Sequence, residues 1–303
     1  MGRASTADQD PDRRTRIAAQ RTAIVRAQRR NRVLIAGGAI VAVVVIVVAF
    51  VVFGGNGSSG GKAPASPTGS ALAQTISQLT SVPVSASDAV GPGNVTSPPT
   101  TISGPPLTSG GKPEMLYMGA EYCPYCAAER WSMIVALSRF GTFSGLQTMH
   151  SAAADGAGNA EPFPNTPTWT FAHATYSSKY LTFTPVEMNT NIPDKSTGGY
   201  TTLQTPTKAQ QALIDKYDAA NQGAIPFIDF GNKYMSVGAS YDPSVLSGLT
   251  WSQIAPDLHN PGSPVAKSVL GAANYLTAAI CGLTSDQPAS ACTATVKGLR
   301  AKI

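Results

Sequence analysis

The sequence predicts an α/β fold carried behind a single transmembrane helix, and three stretches support that prediction. Residues 115–118 form a short apolar run, followed by Cys123-Pro-Tyr-Cys126 and a long stretch of helical spacing. This reads as strand, turn and helix, with a Cys-x-x-Cys pair at the turn. Residues 223–238 read as a hairpin entered through Pro226. Residues 33–53 are 21 positions without a charge, dominated by valine, which is enough to cross a bilayer as a helix.

The N-terminal segment carries the charge of the chain. Residues 1–32 hold nine arginines and three aspartates, a balance of +6, and the rest sums to −1 of the formal +5. The folded part is therefore not basic, and nucleic acid is not expected as a partner. Arg26, Arg29, Arg30 and Arg32 crowd one flank of the apolar run, while the other flank is glycine- and serine-rich with only Lys62 nearby. The positive-inside rule places the N-terminus in the cytoplasm and everything after Phe53 outside. A cleaved signal peptide has an apolar region of about 7–15 residues, so a retained single-pass anchor in the cell membrane is expected. The tail arginines then lie against the lipid bilayer.

Residues 54–111 read as a Gly/Ser/Pro-rich linker. Within it, 71–90 places Leu72, Ile76 and Leu79 at helical spacing. That segment is either a short helix packing on the domain or a stray apolar patch. The domain proper is expected over 112–303.

The chemistry concentrates at the cysteine pair. The first turn of a helix has unpaired N–H groups and partial positive charge, so a sulfur held there is stabilised as the nucleophilic thiolate. Pro124 suits the first helical turn. Ala127, Trp131, Ile134 and Leu137 make one apolar face, and Gly141 stands where a C-terminal cap is expected. Cys123 is expected to be the exposed attacking thiol and Cys126 the more buried second one. Such a pair is also half of a zinc site. The other cysteines, Cys281 and Cys292, have ten residues between them and form no matching knuckle, and His150, His173 and His259 are scattered. No metal and no cofactor is expected. An inert structural disulfide is the other plain alternative.

Downstream, 146–151 reads as a strand and 152–167 as a loop. Residues 168–176 and 179–187 read as two strands joined by Ser177-Ser178, and 189–205 as a polar surface loop. Residues 206–220 read as a helix. Phe227, Ile228 and Phe230 form a strand, Gly231-Asn232 a tight turn and 234–237 the return strand. The tail after Trp251 reads as helices, with 251–258 and 265–281 the clearest. Cys281 and Cys292 bracket a polar loop and are expected to form a structural disulfide outside the cytoplasm.

In this order, the chain from Met115 onward resembles a thioredoxin-fold protein. Gly223-Ala-Ile225-Pro226 with the following Phe-Ile-Asp-Phe-Gly-Asn matches the hairpin that opens with a cis-proline in that family. The Pro-Tyr dipeptide between the cysteines is typical of glutaredoxins, although the rest of the chain does not resemble one. Glu121-Tyr-Cys-Pro-Tyr-Cys-Ala-Ala-Glu-Arg-Trp131, Leu137-Ser-Arg-Phe-Gly141 and Ile280-Cys…Gln-Pro-Ala-Ser-Ala-Cys292 resemble the tethered thioredoxin-like proteins of domain-of-unknown-function family 929, over about residues 71–303. The resemblance implies a central mixed sheet flanked by helices, with an insertion and C-terminal helices. It implies that Pro226 holds a substrate backbone beside the sulfurs, with Ile225 offering main-chain hydrogen bonds. Tyr122 and Tyr125 would form an apolar rim. In one place the chain departs from the pattern. Thioredoxins usually carry a buried aspartate six residues before the first cysteine, and Tyr117 stands there. Glu121 and Glu129 are alternatives as proton acceptor for Cys126, though each reads first as a solvated surface carboxylate.

The function expected is an extracytoplasmic, membrane-anchored thiol–disulfide oxidoreductase. It would act on thiols and disulfides of exported proteins and be reset by a membrane or extracytoplasmic redox partner. The competing class is a non-catalytic binding module with a static Cys123–Cys126 disulfide and the 151–205 insertion as its surface. A metal chaperone using the same pair is the third.

Overall fold

The structure, a computed structural model, describes residues 63–303. The basic tail (1–32), the apolar run expected to cross a membrane (33–53) and the start of the expected linker lie outside the described residues. Among the described residues no helix is long and apolar enough to cross a membrane.

Two helices open the described chain, α1 (Gly69–Thr80) and α2 (Val84–Val90). The apolar stripe of α1 buries Leu79 and sets Leu72 and Ile76 against the main core. Of the two readings of residues 71–90, the structure has the one in which they pack on the domain. Gly93 follows with φ +54°, so close to the Lys267 carbonyl that any Cβ would overlap it. Two short strands, β1 (Thr100–Thr101) and β2 (Thr108–Ser109), then join the main sheet within the stretch expected to be linker.

β3 (Lys112–Gly119) is the axis of the fold, and α3 (Pro124–Ser138) follows it. Successive strand residues face opposite ways. Met115 and Tyr117 enter the large core shared with α3, whereas Leu116 and Met118 enter a second core on the other face. A strand covered on both faces reads as a continuous apolar run. α3 buries nearly its whole length. It ends at Arg139, whose N–H returns to the Ala136 carbonyl. Gly141 is therefore no cap: it begins β4 (Gly141–Ser144), which is followed by β5 (Gln147–His150).

The next strands are β6 (Pro167–Thr170), β7 (Thr175–Ser178) and β8 (Thr182–Glu187). In place of the two strands joined by Ser177-Ser178 expected over 168–187, three form, and each finds a different partner. β6 pairs with β5, β7 with β4, and β8 runs parallel to β3 with Met115 opposite Phe183. The cause is the indole-rich layer over α3. Trp131 Nε1 donates to the Pro167 carbonyl at 2.9 Å, the Thr168 hydroxyl to the Ala127 carbonyl at 2.8 Å, and Trp251 Nε1 to the Thr168 carbonyl at 2.8 Å. These bonds draw β6 onto the helix and away from β8. Residues 189–205, expected as a loop, form the hairpin β9 (Asn189–Asp194) and β10 (Gly199–Thr202).

α4 (Lys208–Tyr217) starts with a capping box between Thr207 and Gln210. Its Ile214 joins Leu116, Met118, Val186 and Phe227 in the second core. β11 (Phe227–Phe230) and β12 (Tyr234–Val237) make the expected hairpin, and β11 pairs antiparallel with β3, Phe227 opposite Met118. The main sheet is thus mixed and six-stranded, in the order β1-β12-β11-β3-β2 with β8 also on β3. The helices α5 (Trp251–Asp257), α6 (Pro264–Leu283) and α7 (Ala294–Arg300) complete the chain. α6 packs on α3, where the Ser132 hydroxyl donates to the Val269 carbonyl at 3.0 Å.

Cys281 and Cys292 form the expected disulfide, closing a loop of sequence separation 11 between α6 and α7. On the chain-entropy account so short a loop contributes about 2–3 kcal/mol. Replacing both cysteines with serine is therefore expected to lower the chemical-unfolding midpoint by that equivalent. An unchanged midpoint would show that the α6–α7 junction is held by its packing alone.

Candidate functional site

The site sits where β3 ends and α3 begins. Cys123 is the N-cap of α3, and its sulfur accepts from the Cys126 backbone N–H at 3.3 Å. Pro124 occupies the first helical turn. The Cys123 thiol lies 3.8 Å from the Ile225 carbonyl. The Ile225–Pro226 peptide is cis, and so is Gln287–Pro288 outside the site. Ala120, Cys123, Cys126, Tyr122 and Ile225 form one small apolar cluster.

Both cysteines are free thiols, and both are buried. Cys123, expected to be exposed, retains 4% of its surface and Cys126 none. The cause is the neighbourhood. Tyr122 stacks on Tyr200 of β10 with ring centroids 4.0 Å apart, and the Tyr200 hydroxyl donates to Glu161 at 2.6 Å. The Ala152 N–H donates to the Tyr122 carbonyl at 2.9 Å. The 152–166 segment and the β9–β10 hairpin thus close over one side of the motif. Tyr125 stays 39% exposed, with Phe163 edge-on at 5.9 Å. The structure brings Cys123, Cys126, Tyr122, Tyr125 and the Ile225–Pro226 turn together. Beside that turn, a cavity of about 270 Å³ is lined by Met118, Met188, Gln211, Ile214, Asp215 and Gly223, among others.

The two thiols are driven apart in acidity. The hydrogen bond from the Cys126 thiol is the largest influence lowering the Cys123 pKa. The Cys126 N–H and the Arg130 charge act the same way, against the opposing effect of burial. Burial pushes Cys126 well above the ordinary thiol value, reinforced by its hydrogen bond to Cys123. One sulfur is thus prepared as thiolate and the other held as thiol. Burial also pushes Tyr122 up to about 12.

Beneath the pair lies a layer that sequence reasoning missed. Arg130 and Glu187 are both fully buried. Arg130 Nε and Nη2 donate to the two Glu187 oxygens at 2.9 and 2.6 Å, and Nη2 also donates to the Ala120 carbonyl at 2.8 Å. Burial is the largest single influence and lowers the Arg130 pKa, but Glu187, Tyr117 and Cys126 together outweigh it and the charge is kept. The Tyr117 ring lies near the guanidinium, with its centroid 5.9 Å from Cζ. Gly119 is required here, since a Cβ would overlap the Tyr117 hydroxyl. One signal was available: Arg130 follows Cys126 by four positions, one turn along the same helix face.

Two carboxylates expected at the surface are elsewhere. Glu129 is fully buried and accepts from Ser240, from N–H at 2.8 Å and from Oγ at 2.9 Å. It is committed to that loop, not to Cys126. Glu121 is half-buried and accepts from the Thr170 hydroxyl; burial raises its pKa.

These features define a mixed α/β protein with a free Cys-x-x-Cys pair at a helix N-terminus beside an X–Pro turn. The chain belongs to a family described as Domain of unknown function (DUF929), whose model matches residues 98–282. No curated protein and no solved structure matches the chain.

Proposed function

We propose that this protein is a thiol–disulfide oxidoreductase with a thioredoxin-like domain, anchored by residues 33–53 and acting outside the cytoplasm on exported proteins. The observation that carries the reading is the asymmetry of the pair: Cys123 caps α3 and is acidified, while Cys126 is sealed beneath it and held protonated. In reduction, the Cys123 thiolate attacks a substrate disulfide. A new S–S bond forms to Cys123 and one substrate thiolate leaves. Cys126 then gives its proton to the substrate thiolate just released, and its own thiolate attacks the Cys123 sulfur. The second substrate thiolate leaves, and the pair has delivered two electrons and become a disulfide. Oxidation of a substrate dithiol is the same sequence in reverse. A membrane or extracytoplasmic redox partner resets the pair in either case.

The turn at Ile225–Pro226 stands across from Cys123 and suits an extended substrate segment, as in strand addition. The 270 Å³ cavity next to it, floored by Met118, Met188 and Ile214, suits one apolar substrate side chain. The covering of Cys123 by the insertion favours one other reading, a binding module in which the pair is a static disulfide.

The test is the reduction potential of the pair in the full chain, by equilibration in glutathione buffers and thiol trapping. A value near about −120 mV marks a disulfide donor, and one near about −270 mV marks a reductase. A pair that cannot be reduced without unfolding the protein overturns the oxidoreductase reading and leaves the binding module.

A further inference from the structure

We propose that Arg130 and Glu187 form a buried charge pair that sets the reduction potential of the Cys123–Cys126 couple, Arg130 favouring the thiolate state and Glu187 opposing it. The proposal rests on the oxidoreductase reading and assigns a regulator to that same site.

Four observations support it. Arg130 lies one helical turn below Cys126 on the same face, and its Nη2 binds the Ala120 carbonyl at 2.8 Å, three residues before Cys123. The guanidinium is therefore tied to the loop that bears the attacking thiol. Glu187 satisfies Nε and Nη2, but the buried Nη1 finds no acceptor among the described residues. Arg130 thus has a spare donor in a place where leaving one unmade is costly. The Tyr117 hydroxyl beside this layer is also buried and without a partner among the described residues. Both charges are fully buried, and a charge interaction at a given distance is stronger there than in water.

The electrostatic ordering follows. The reduced couple carries a thiolate and the disulfide carries none. A cation beneath the pair stabilises the reduced state and makes the couple more oxidising, and an anion does the reverse. The other titratable groups that face this layer are Tyr117 from β3 and Glu121 from the loop after it. Tyr117 is held neutral by burial, and Glu121 is engaged with Thr170. Arg130 and Glu187 are positioning residues: neither touches substrate, and both act through the sulfurs.

The test compares the full chain with its Arg130→Met, Arg130→Lys and Glu187→Gln variants. The readings are the glutathione equilibrium constant and the pH dependence of Cys123 alkylation. Arg130→Met is expected to make the couple about tenfold easier to oxidise, a shift of about 30 mV toward the reducing side. The Cys123 alkylation profile should move to higher pH. Glu187→Gln is expected to shift both readings the opposite way, and Arg130→Lys to restore most of the Arg130→Met loss. A purely structural ion pair would not give opposite signs. Breaking a buried pair can prevent folding, whereas removing both charges is better tolerated. Arg130→Met/Glu187→Gln compared with Glu187→Gln therefore reads the arginine effect independently. If the wild-type pair exchanges with glutathione but all folded variants match it, or shift in one direction, this proposal fails and the oxidoreductase reading stands. If the wild-type pair does not exchange at all, both fail.

Discussion

Cys126→Ala is expected to turn the protein into a trap that stops after one chemical step. The variant should accumulate a mixed disulfide through Cys123 and show no catalytic turnover. Cys123→Ala should form no adduct and show no turnover either. The reason is geometric and electrostatic together. Cys126 has no exposed surface, so it cannot reach a disulfide from outside. Cys123 keeps a small exposed edge and is the sulfur favoured as thiolate. Removing Cys126 also removes the thiol hydrogen bond that is the largest influence on Cys123, so adduct formation should be slower than the first step of the wild-type protein. Non-reducing electrophoresis of the full chain mixed with a disulfide-bonded unfolded protein reads the adduct. Equal turnover by the Cys126→Ala protein and the wild type would remove the assigned roles. An adduct through Cys126 in the Cys123→Ala variant would reverse them.

What the sequence made legible was local. The strand–turn–helix at 115–138, the hairpin at 227–237 and α6 follow from periodicity and end signals, and the 281–292 disulfide from the compartment expected of the domain. What it concealed was the pairing of distant parts. Phe171, Tyr176 and Phe183 mark a strand-rich region, but composition does not say that β6, β7 and β8 go to three different partners. The surroundings of the motif were hidden for the same reason. Arg130 and Glu187 are 57 positions apart, and Glu129 and Ser240 are 111 apart. Tyr122 meets Tyr200 only because the polar 189–205 stretch folds into a hairpin and returns over the motif. Glutamates within a Cys-x-x-Cys helix read as surface groups because helices of soluble proteins usually show one face to water. α3 shows almost none: the sheet, β6, α1 and α6 leave Glu129 and Arg130 no route to solvent.

Glu129 then predicts an unusual dependence of stability on pH. Burial pushes its carboxyl up from 4.5 to about 7, only partly offset by the two hydrogen bonds from Ser240. The folded protein therefore holds a proton that the unfolded chain has already released. A raised folded pKa gives stability that is fully present below the unfolded value and lost as pH rises through the folded one. At about 1.4 kcal/mol per pH unit of difference, the loss between pH 4 and pH 8 is about 3 kcal/mol. Asp229, pushed up to about 6 by burial, acts in the same direction, so wild type alone does not isolate the group. Glu129→Gln does. Its amide oxygen can accept from Ser240 as the neutral acid does, and it has no charge to bury. The variant is expected to match wild type in urea-unfolding midpoint at pH 4 and to exceed it by the equivalent of about 3 kcal/mol at pH 8. A difference that is the same at both pH values would mean that Glu129 stays ionised in the folded protein, with Ser240 sufficient to hold the charge. The expected result would mean that the junction between α3 and the loop after β12 is tightest with the carboxyl protonated, three residues along α3 from Cys126.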